Sequence, residues 1–335
     1  MRAMNERAVF DTLLEHGPAS ATEVSILIGV SKPTAYKALS HLMTAEIVEM
    51  IDGKSGKCGP DGKLYGVNAG SAYGAGLHIT PRGIAARVAD VLGNVVGEAT
   101  EPVPGRRSAP SPATGLRALE RAAAAAGLDR TAVADVVIGV PGSVDPRTGR
   151  PEPSAEPGAL EAGHWSAEFA AHLGGRPAFE SAANLAAVAQ QRCEAVAGCH
   201  SYLLLWLADQ PRLSIVTEGG LYRGAAGRAG RVWAHGSWPG FVDGGPGEGP
   251  GAAAEALAPG LTAVSALLCP AFVVVAGLPA TVPGDELCAL LQRALDMDLA
   301  SSPRVLPSVP GDPVLAGAVD SALAAARERL RSRAA

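Results

Sequence analysis

The chain has 335 residues, of which 47% are hydrophobic and 18% are charged. This composition is too apolar for a disordered protein, and the length allows two domains with buried cores. The net charge of −5 excludes a protein that coats nucleic acid or membranes by bulk charge, so any contact with DNA must come from a local basic patch.

The cysteines and the apolar segments exclude further classes of protein. The five cysteines are far apart and form no C-x-x-C motif, which argues against a disulfide scaffold and against a zinc knuckle. The N-terminus lacks the apolar core of a signal peptide, and no long uncharged apolar run follows. We therefore expect a cytoplasmic protein without a membrane segment.

The lysines divide the chain into two parts. All five lysines lie near the N-terminus. They are Lys32, Lys37, Lys54, Lys57 and Lys63. After Lys63, arginine takes the place of lysine throughout the chain. This change in composition predicts a first domain over residues 1–70 and a second domain over residues 71–335.

The apolar periodicity of the first domain predicts three helices. The first covers residues 5–16. Residues 20–23, Ser-Ala-Thr-Glu, have the spacing of a capping box and open a second, short helix. Gly29 then permits a tight turn, and Ser31 is placed to cap a third helix that has Pro33 in its first turn.

The third helix has a polar face, and two short strands with a lysine-rich hairpin follow it. This order predicts a winged helix-turn-helix, in which the third helix enters the major groove and the lysines of the wing contact phosphates. The predicted DNA-binding residues are Ser31, Lys32, Thr34, Tyr36, Lys37, Ser40 and His41 from the helix, and Lys54, Lys57 and Lys63 from the wing. The alternative is a three-helix bundle that contacts other proteins.

The second domain begins with a predicted β-meander and continues as an α/β pattern. Three short extended runs between residues 74 and 100 are followed by a helix over 114–127 and a buried strand over 134–139. Later strands alternate with helices near residues 252–268, 284–298 and 312–331.

Four segments of the second domain carry a family resemblance. They are GVPGSVDPRTG at 139–149, FESAANLAA at 179–187, EGGLYRGAAGRAGRV at 218–232 and GDPVLAGAVDSAL at 311–323. The chain resembles, over nearly its whole length, transcriptional regulators of the repressor, open reading frame, kinase (ROK) family. The resemblance implies an α/β protein with an N-terminal winged helix-turn-helix, followed by a two-lobed actin/hexokinase-like (ribonuclease H-like) domain.

The chain departs from the family pattern where the kinases carry out their chemistry. In the kinases, an aspartate in E-N-D-A-N is the general base on the sugar hydroxyl. Here Ala182 stands in its place, with Ser181 before it. Residues 78–82, His-Ile-Thr-Pro-Arg, replace the phosphate-binding D-x-G-x-T turn. The resemblance therefore implies no catalytic residues and no cofactor.

The sugar-contacting and zinc-binding elements of the family are also altered. Arg231 replaces the glutamate of E-x-G-H, and the histidine is either absent or displaced by one position to His235. The zinc loop should follow, yet residues 236–255 contain no cysteine, so we expect no bound metal.

Three functions remain open. The first is a sequence-specific DNA-binding transcriptional regulator, a repressor, whose inactive kinase-like domain is a sensor or a dimerisation scaffold. It would bind a palindromic operator as a homodimer or a higher homo-oligomer. The second is a sugar kinase with an N-terminal appendage, and the third is a protein-binding scaffold.

An effector of the first candidate would meet Ser181, Asn184, Arg231 and His235. Arg231 lies near Arg223 and Arg228 in the sequence, and guanidinium groups pair with phosphates and carboxylates, so an anionic sugar derivative is one expected ligand. The alternative is that these arginines face solvent or a partner subunit and that the pocket is vestigial.

Overall fold

The structure is a computed structural model. It describes residues 2–51, 63–80, 83–103, 110–152, 162–173, 176–208, 211–231, 249–278 and 282–333.

The N-terminal part is a winged helix-turn-helix. Its elements are α1 (Arg2–His16), β1 (Ala19–Ser20), α2 (Ala21–Leu27), α3 (Lys32–Thr44), β2 (Val48–Ile51) and β3 (Leu64–Val67). The three strands form an antiparallel sheet in the order β1-β3-β2. The first helix begins earlier than the predicted residue 5, and the other two begin where their capping residues predict.

Local capping explains where α2 and α3 begin. The backbone N–H of Glu23 donates to the Ser20 hydroxyl, and the Glu23 carboxylate accepts from the Ser20 N–H at 2.8 Å. These reciprocal bonds are the predicted capping box. The Ser31 hydroxyl accepts from the Thr34 N–H and caps α3. Between the two helices Gly29 has φ of 68°, a left-handed conformation in which glycine has no steric cost.

The first lobe of the second domain is a five-stranded sheet with helices on both faces. Its strands are β4 (Tyr73–Thr80), β5 (Gly83–Asp90), β6 (Val95–Pro102), β7 (Val133–Val140) and β10 (Ala178–Ser181), in the order β10-β7-β4-β5-β6. A small hairpin of β8 (Val144–Asp145) and β9 (Arg150–Pro151) follows β7. The helices are α4 (Pro112–Ala125), α5 (Ala162–Leu173) and α6 (Ala182–Ala189).

The second lobe repeats this topology. Its strands are β11 (Tyr202–Trp206), β12 (Arg212–Thr217), β13 (Gly220–Tyr222), β14 (Phe272–Ala276) and β15 (Arg304–Pro307), in the order β13-β12-β11-β14-β15. Its helices are α7 (Pro250–Leu268) and α8 (Gly284–Asp298). The last helix, α9 (Pro313–Arg333), follows β15 in the chain but packs on the first lobe. In both lobes three antiparallel strands are followed by two parallel ones. This pair of matching sheets confirms the predicted α/β, two-lobed, actin/hexokinase-like fold.

The central strand β11 is apolar along its whole length because both of its faces are covered. Leu203 and Leu205 pack on the side of α7 and α8, whereas Tyr202, Leu204 and Trp206 pack toward α6 and α9. A strand that is covered on both faces reads as a continuous apolar run, as the sequence YLLLW does here.

One helix within the described residues has the length and apolar composition of a membrane span. It is α7, with a mean hydropathy of 1.4 over its best window. Leu257 and Leu261 on this helix are fully buried in the core of the second lobe, and Glu255 interrupts its apolar run. Core helices have the same composition, so α7 is weak evidence for a membrane segment.

The C-terminal helix α9 joins the two domains. Ala326 and Leu330 near its end are fully buried in the same apolar cluster as Val9, Phe10 and Leu13 of the winged helix. The start of α9 lies on the first lobe, against β4 and α6. The predicted boundary near Gly70 stays a prediction, because the N-terminal core is shared with a helix from the far end of the chain.

Candidate functional sites: the recognition helix and the interlobe cleft

Helix α3 presents a polar surface to solvent. Lys32, Tyr36, Lys37 and Ser40 are exposed, while Ala35, Leu39 and Leu42 are buried against α1 and α2. The burial follows from the helical period, which puts the apolar residues on one face. The structure therefore brings four of the predicted helix contacts together on one accessible surface.

Ser31 and Thr34 are engaged in the cap at the start of α3. Their hydroxyl oxygens lie 2.8 Å apart, and the Thr34 N–H donates to Ser31. Both residues remain near the end of the helix that would approach DNA, but part of their hydrogen-bonding capacity is used within the protein.

His41 turns toward α1 instead of standing free on the polar face. Its Nδ1 lies 2.8 Å from Oε1 of Glu6, and Arg2 donates to the same oxygen at 2.9 Å. The Glu6 side chain is only 5% exposed. Burial alone would raise the pKa of Glu6, but the bonds from His41 and Arg2 outweigh it and hold the pKa below its ordinary value.

The structure describes the two strands of the wing but not residues 52–62 between them. Lys63 is exposed just before β3. Lys54 and Lys57 lie outside the described residues, so their predicted contact with phosphates stays a prediction.

The altered catalytic segment lies at the junction of β10 and α6, in the interlobe cleft, the region where Glu180 and Glu152 of the first lobe meet arginines of the second lobe. Ala182 is the first residue of α6 and is buried, and Ser181 before it is buried as well. A methyl group at this position cannot accept a proton. Ala182 therefore cannot act as the general base that the resemblance to the kinases places at this position.

Glu180 organises this side of the cleft. Its Oε1 accepts from the Ser181 N–H at 2.8 Å and from the Asn184 side chain at 2.9 Å. Its Oε2 accepts from Nε of Arg223 at 2.7 Å. Because Arg223 follows β13 of the second lobe, this ion pair links the two lobes.

A second ion-pair cluster links the lobes at Glu152. Arg231 donates to Glu152 at 3.1 Å, and Arg228 donates to the other oxygen of the same carboxylate. Glu152 lies just after β9 of the first lobe. The three arginines that suggested an anionic pocket therefore have carboxylate partners. Pairing of this kind offsets their positive charge and removes much of the reason to expect an anion between them.

The structure places the predicted effector residues in two groups. Ser181 and Asn184 meet at Glu180, and Arg231 meets Glu152. His235 lies outside the described residues. Sequence reasoning missed Glu152 and Glu180 as partners, and the only signal for Glu180 was its position directly before the altered residues.

A side-chain pair lies at His78, the first residue of the segment that the resemblance aligns with the phosphate-binding turn. Nδ1 of His78, at the end of β4, lies 2.7 Å from Oδ2 of Asp312, which precedes α9. Oδ1 of Asp312 accepts from the Leu315 N–H at 2.9 Å and caps α9. Burial would raise the pKa of Asp312, but the bond and charge of His78, together with bonds from the backbone N–H groups of Leu315 and Val314, outweigh it and lower the pKa.

The residues that are present do not fit a magnesium nucleotide. His78 stands where the resemblance places the acid that organises the metal, and its Nδ1 contacts Asp312. Within the described part of the chain, no group of three or more His, Cys, Asp and Glu side chains could hold a metal ion. Residues 232–248, which include most of the altered zinc loop, lie outside the description, so the expected absence of zinc stays a prediction.

Comparison with known proteins gives two kinds of similarity. Residues 4–66 match the family model "Sugar-specific transcriptional regulator TrmB". No curated protein sequence matches the chain.

Solved structures match the fold over long spans. A ROK family transcriptional regulator described as a homolog of the E. coli MLC protein is 13% identical, with a TM-score of 0.68, and the match covers 99% of this chain and 98% of that one. A ROK hexokinase from Thermus thermophilus is 20% identical, with a TM-score of 0.58, over 76% of this chain and 99% of its own. A ROK family glucokinase from Streptomyces griseus, solved with glucose and AMPPNP, is 18% identical, with a TM-score of 0.54, over 75% and 99% of the two chains.

The regulator match includes the winged helix, whereas the kinase matches cover about three quarters of this chain. The chain therefore has the same fold as this ROK transcriptional regulator, a winged helix-turn-helix joined to a two-lobed kinase-like domain.

Proposed function

We propose that this protein is a sequence-specific DNA-binding transcriptional regulator that acts as a repressor in the cytoplasm. The observation that carries the proposal is the polar surface of α3, where Lys32, Tyr36, Lys37 and Ser40 are exposed to solvent. Side chains of these types donate to base edges and to phosphates in the major groove.

A dimer is the form that we propose for binding. One winged helix with few cations makes too few phosphate contacts for tight binding, because affinity grows with the number of neutralised phosphates. Two copies on a two-fold symmetric operator double that number. The half-sites should lie roughly 34 to 36 Å apart, or a multiple of this distance.

The exposed lysine in the middle of α3 provides the test. Lys37→Ala should weaken binding to the operator and lower the salt dependence of affinity if Lys37 meets a phosphate. If Lys37 meets a guanine, the variant should relax the preference at one base position. Genomic fragments selected by the purified protein supply the operator, and fluorescence anisotropy at several salt concentrations measures the affinity.

Arg293→Ala is the matched control, since Arg293 is an exposed cation on α8 far from the winged helix in the sequence. It should leave affinity unchanged. If Lys37→Ala bound like the unmodified protein with the same footprint, the placement of α3 in the groove would be wrong. Selection of no DNA at all would favour the protein-binding scaffold.

We also propose that the kinase-like domain does not catalyse phosphoryl transfer. Ala182 in place of a carboxylate and the His78–Asp312 pair at the former phosphate turn support this reading. The purified protein should not phosphorylate common hexoses with ATP and magnesium. Ala182→Asp alone should not restore activity, because the phosphate-binding turn is also altered. ATP-dependent phosphorylation of a hexose by the unmodified protein would instead establish the sugar kinase.

The cleft is the proposed effector site, and a sugar or sugar derivative is the proposed ligand class. The names of the matching families point to sugars, and the cleft offers the Ser181, Asn184 and Glu180 groups that hydrogen-bond hydroxyls. Since the cleft arginines are already paired, a neutral sugar suits the described residues better than an anionic one. A thermal-shift screen with matched neutral and phosphorylated sugars, repeated on Arg231→Ala, distinguishes the two.

Helix α9 is the proposed route from this site to the DNA-binding domain. It begins beside the cleft at Asp312, and its Arg331 donates to Asp11 of α1 at 2.7 Å. An effector changes DNA affinity only if it binds two arrangements of the domains with different affinity. A helix that touches both sites is able to transmit such a difference.

A further inference from the structure

A cavity on the first lobe lies apart from the ion pairs of the cleft. It has a volume of about 430 Å³, within the range of small-molecule sites. Its wall is formed by the β8–β9 hairpin, by one side of α5 and by the chain that enters β10. The residues that give it chemical character are Thr148, Arg150, Ser166, Arg176 and Phe179.

The charged side chains among the described residues of this cavity wall are all positive. Arg150 and Arg176 both line it, and none of the described residues in its wall is a carboxylate. Every arginine of the interlobe cleft described above has a Glu partner, whereas the guanidinium groups of Arg150 and Arg176 have no ion-pair or hydrogen-bond partner among the described residues. Both arginines are exposed, so water screens part of their repulsion, and an anion bound between them would reduce it further.

The neutral groups of the wall suit the same kind of ligand. The hydroxyls of Thr148 and Ser166 are donors that reach an oxyanion without adding charge. Phe179 is nearly buried and gives the cavity an apolar floor. A small organic molecule with a charged end and a short carbon chain matches this combination.

We propose that this cavity is a second ligand site, which binds a small metabolite through a phosphate or a carboxylate group held by Arg150 and Arg176. Guanidinium groups bind both anions in a bidentate manner. The site is separate from the proposed sugar site and does not depend on it.

The position of the site connects it to the lobe interface. Arg150 precedes Glu152 by two residues. Arg176 lies two residues before β10, the strand that contains Glu180 and ends at Ser181. Glu152 and Glu180 are the carboxylates that hold the second lobe. A ligand that draws the two arginines together therefore acts on the segments that carry the interlobe ion pairs.

Calorimetric titration of the full chain tests the proposal in the absence of DNA and sugar. The probes are inorganic phosphate and citrate, which separate a phosphate ligand from a carboxylate ligand. The unmodified protein should bind at least one of them. Arg150→Gln and Arg176→Gln should each weaken that binding about tenfold, the effect of losing one charge-assisted hydrogen bond.

Two further variants separate a built site from general attraction of anions. Arg147→Gln removes one charge from the same hairpin, but Arg147 is 75% exposed and pairs with Asp145 outside the wall of the cavity, so it should leave binding nearly unchanged. Ala167→Trp fills the cavity from the exposed side of α5 without a change of charge and should abolish binding.

Three results would overturn the site. They are the absence of heat with both probes at millimolar concentration, an equal loss of affinity in Arg147→Gln, and unchanged affinity in Ala167→Trp. Because no DNA or sugar is present, each of these results leaves the proposed regulatory function untouched.

Discussion

Glu6 is a buried carboxylate whose partners come from two different helices. Arg2 reaches it from one turn earlier on α1, and His41 reaches it from α3. The bond from His41 joins α3 to the first helix. We therefore assign His41 to the positioning of α3, while Lys32, Tyr36, Lys37 and Ser40 remain the candidates for contact with DNA.

The lowered pKa of Glu6 predicts how stability depends on pH. A carboxylate with a lowered folded-state pKa stabilises the fold above its unfolded-state pKa, and this contribution is lost as the pH falls through the folded-state value. Glu6→Gln should therefore lower the melting temperature at neutral pH. The difference from the unmodified protein should shrink as the pH falls from about 5 to about 3.

Thermal unfolding followed by circular dichroism over this pH range measures the melting temperatures. Glu15→Gln is the control, because Glu15 is an exposed carboxylate on the same helix. A Glu6 variant that melted like the Glu15 variant at every pH would contradict the assignment.

Helix α9 packs closely against the first lobe because small residues line its contact face. A Cβ built on Gly317 would lie 1.8 Å from the carbonyl oxygen of Leu185 on α6. That neighbour is backbone and cannot rotate away. Glycine is therefore required at position 317 by the approach of two helices, at the cost of the lower helix propensity of glycine.

A matched pair of glycine variants tests this close approach. Gly317→Ala should destabilise the protein by roughly 1–3 kcal/mol, since the added methyl group forces the two helices apart. Gly163→Ala places the same methyl group in α5, where nothing lies within 4 Å, and should be neutral or slightly stabilising. Chemical denaturation of both variants measures the difference, and equal stability of the two would show that α9 and α6 are less tightly packed.

The C-terminal helix α9 packs against the N-terminal helix α1 and so connects the two ends of the chain. Helix α9 has 21 residues and so spans about 30 Å, from the cleft to the winged helix. At its far end Leu330 is fully buried among residues of α1, and Arg331 pairs with Asp11. The DNA-binding domain is thus fixed to the kinase-like domain by an apolar contact with polar bonds around it.

Removal of the apolar contact should loosen the winged helix. Leu330→Ala should cost about 2–5 kcal/mol of local stability and should speed hydrogen exchange in the amides of α1. Leu267→Ala is the control, because Leu267 is 82% exposed. Mass spectrometry of hydrogen exchange on both variants gives the result. Unchanged exchange in α1 would mean that the winged helix does not depend on α9.

The local elements could be predicted from the chain, because their signals lie within a few residues of one another. Ser20 and Glu23 begin α2, Ser31 begins α3, and the apolar period gives α8 within residues 284–298, as the structure has it. The sequence also predicts that Ala182 stands in place of a catalytic carboxylate, since this prediction depends on the identity of one residue in a motif.

The partners of charged side chains were decided only by the tertiary structure. His41 meets Glu6 from 35 positions away, Arg231 meets Glu152 from 79, and Arg331 meets Asp11 from 320. Nothing in the neighbourhood of an arginine in the sequence tells whether a carboxylate will face it after folding. The sequence therefore indicated a positive cleft, and the packing of the two lobes brought Glu152 and Glu180 to its arginines and left Arg150 and Arg176 without such partners among the described residues.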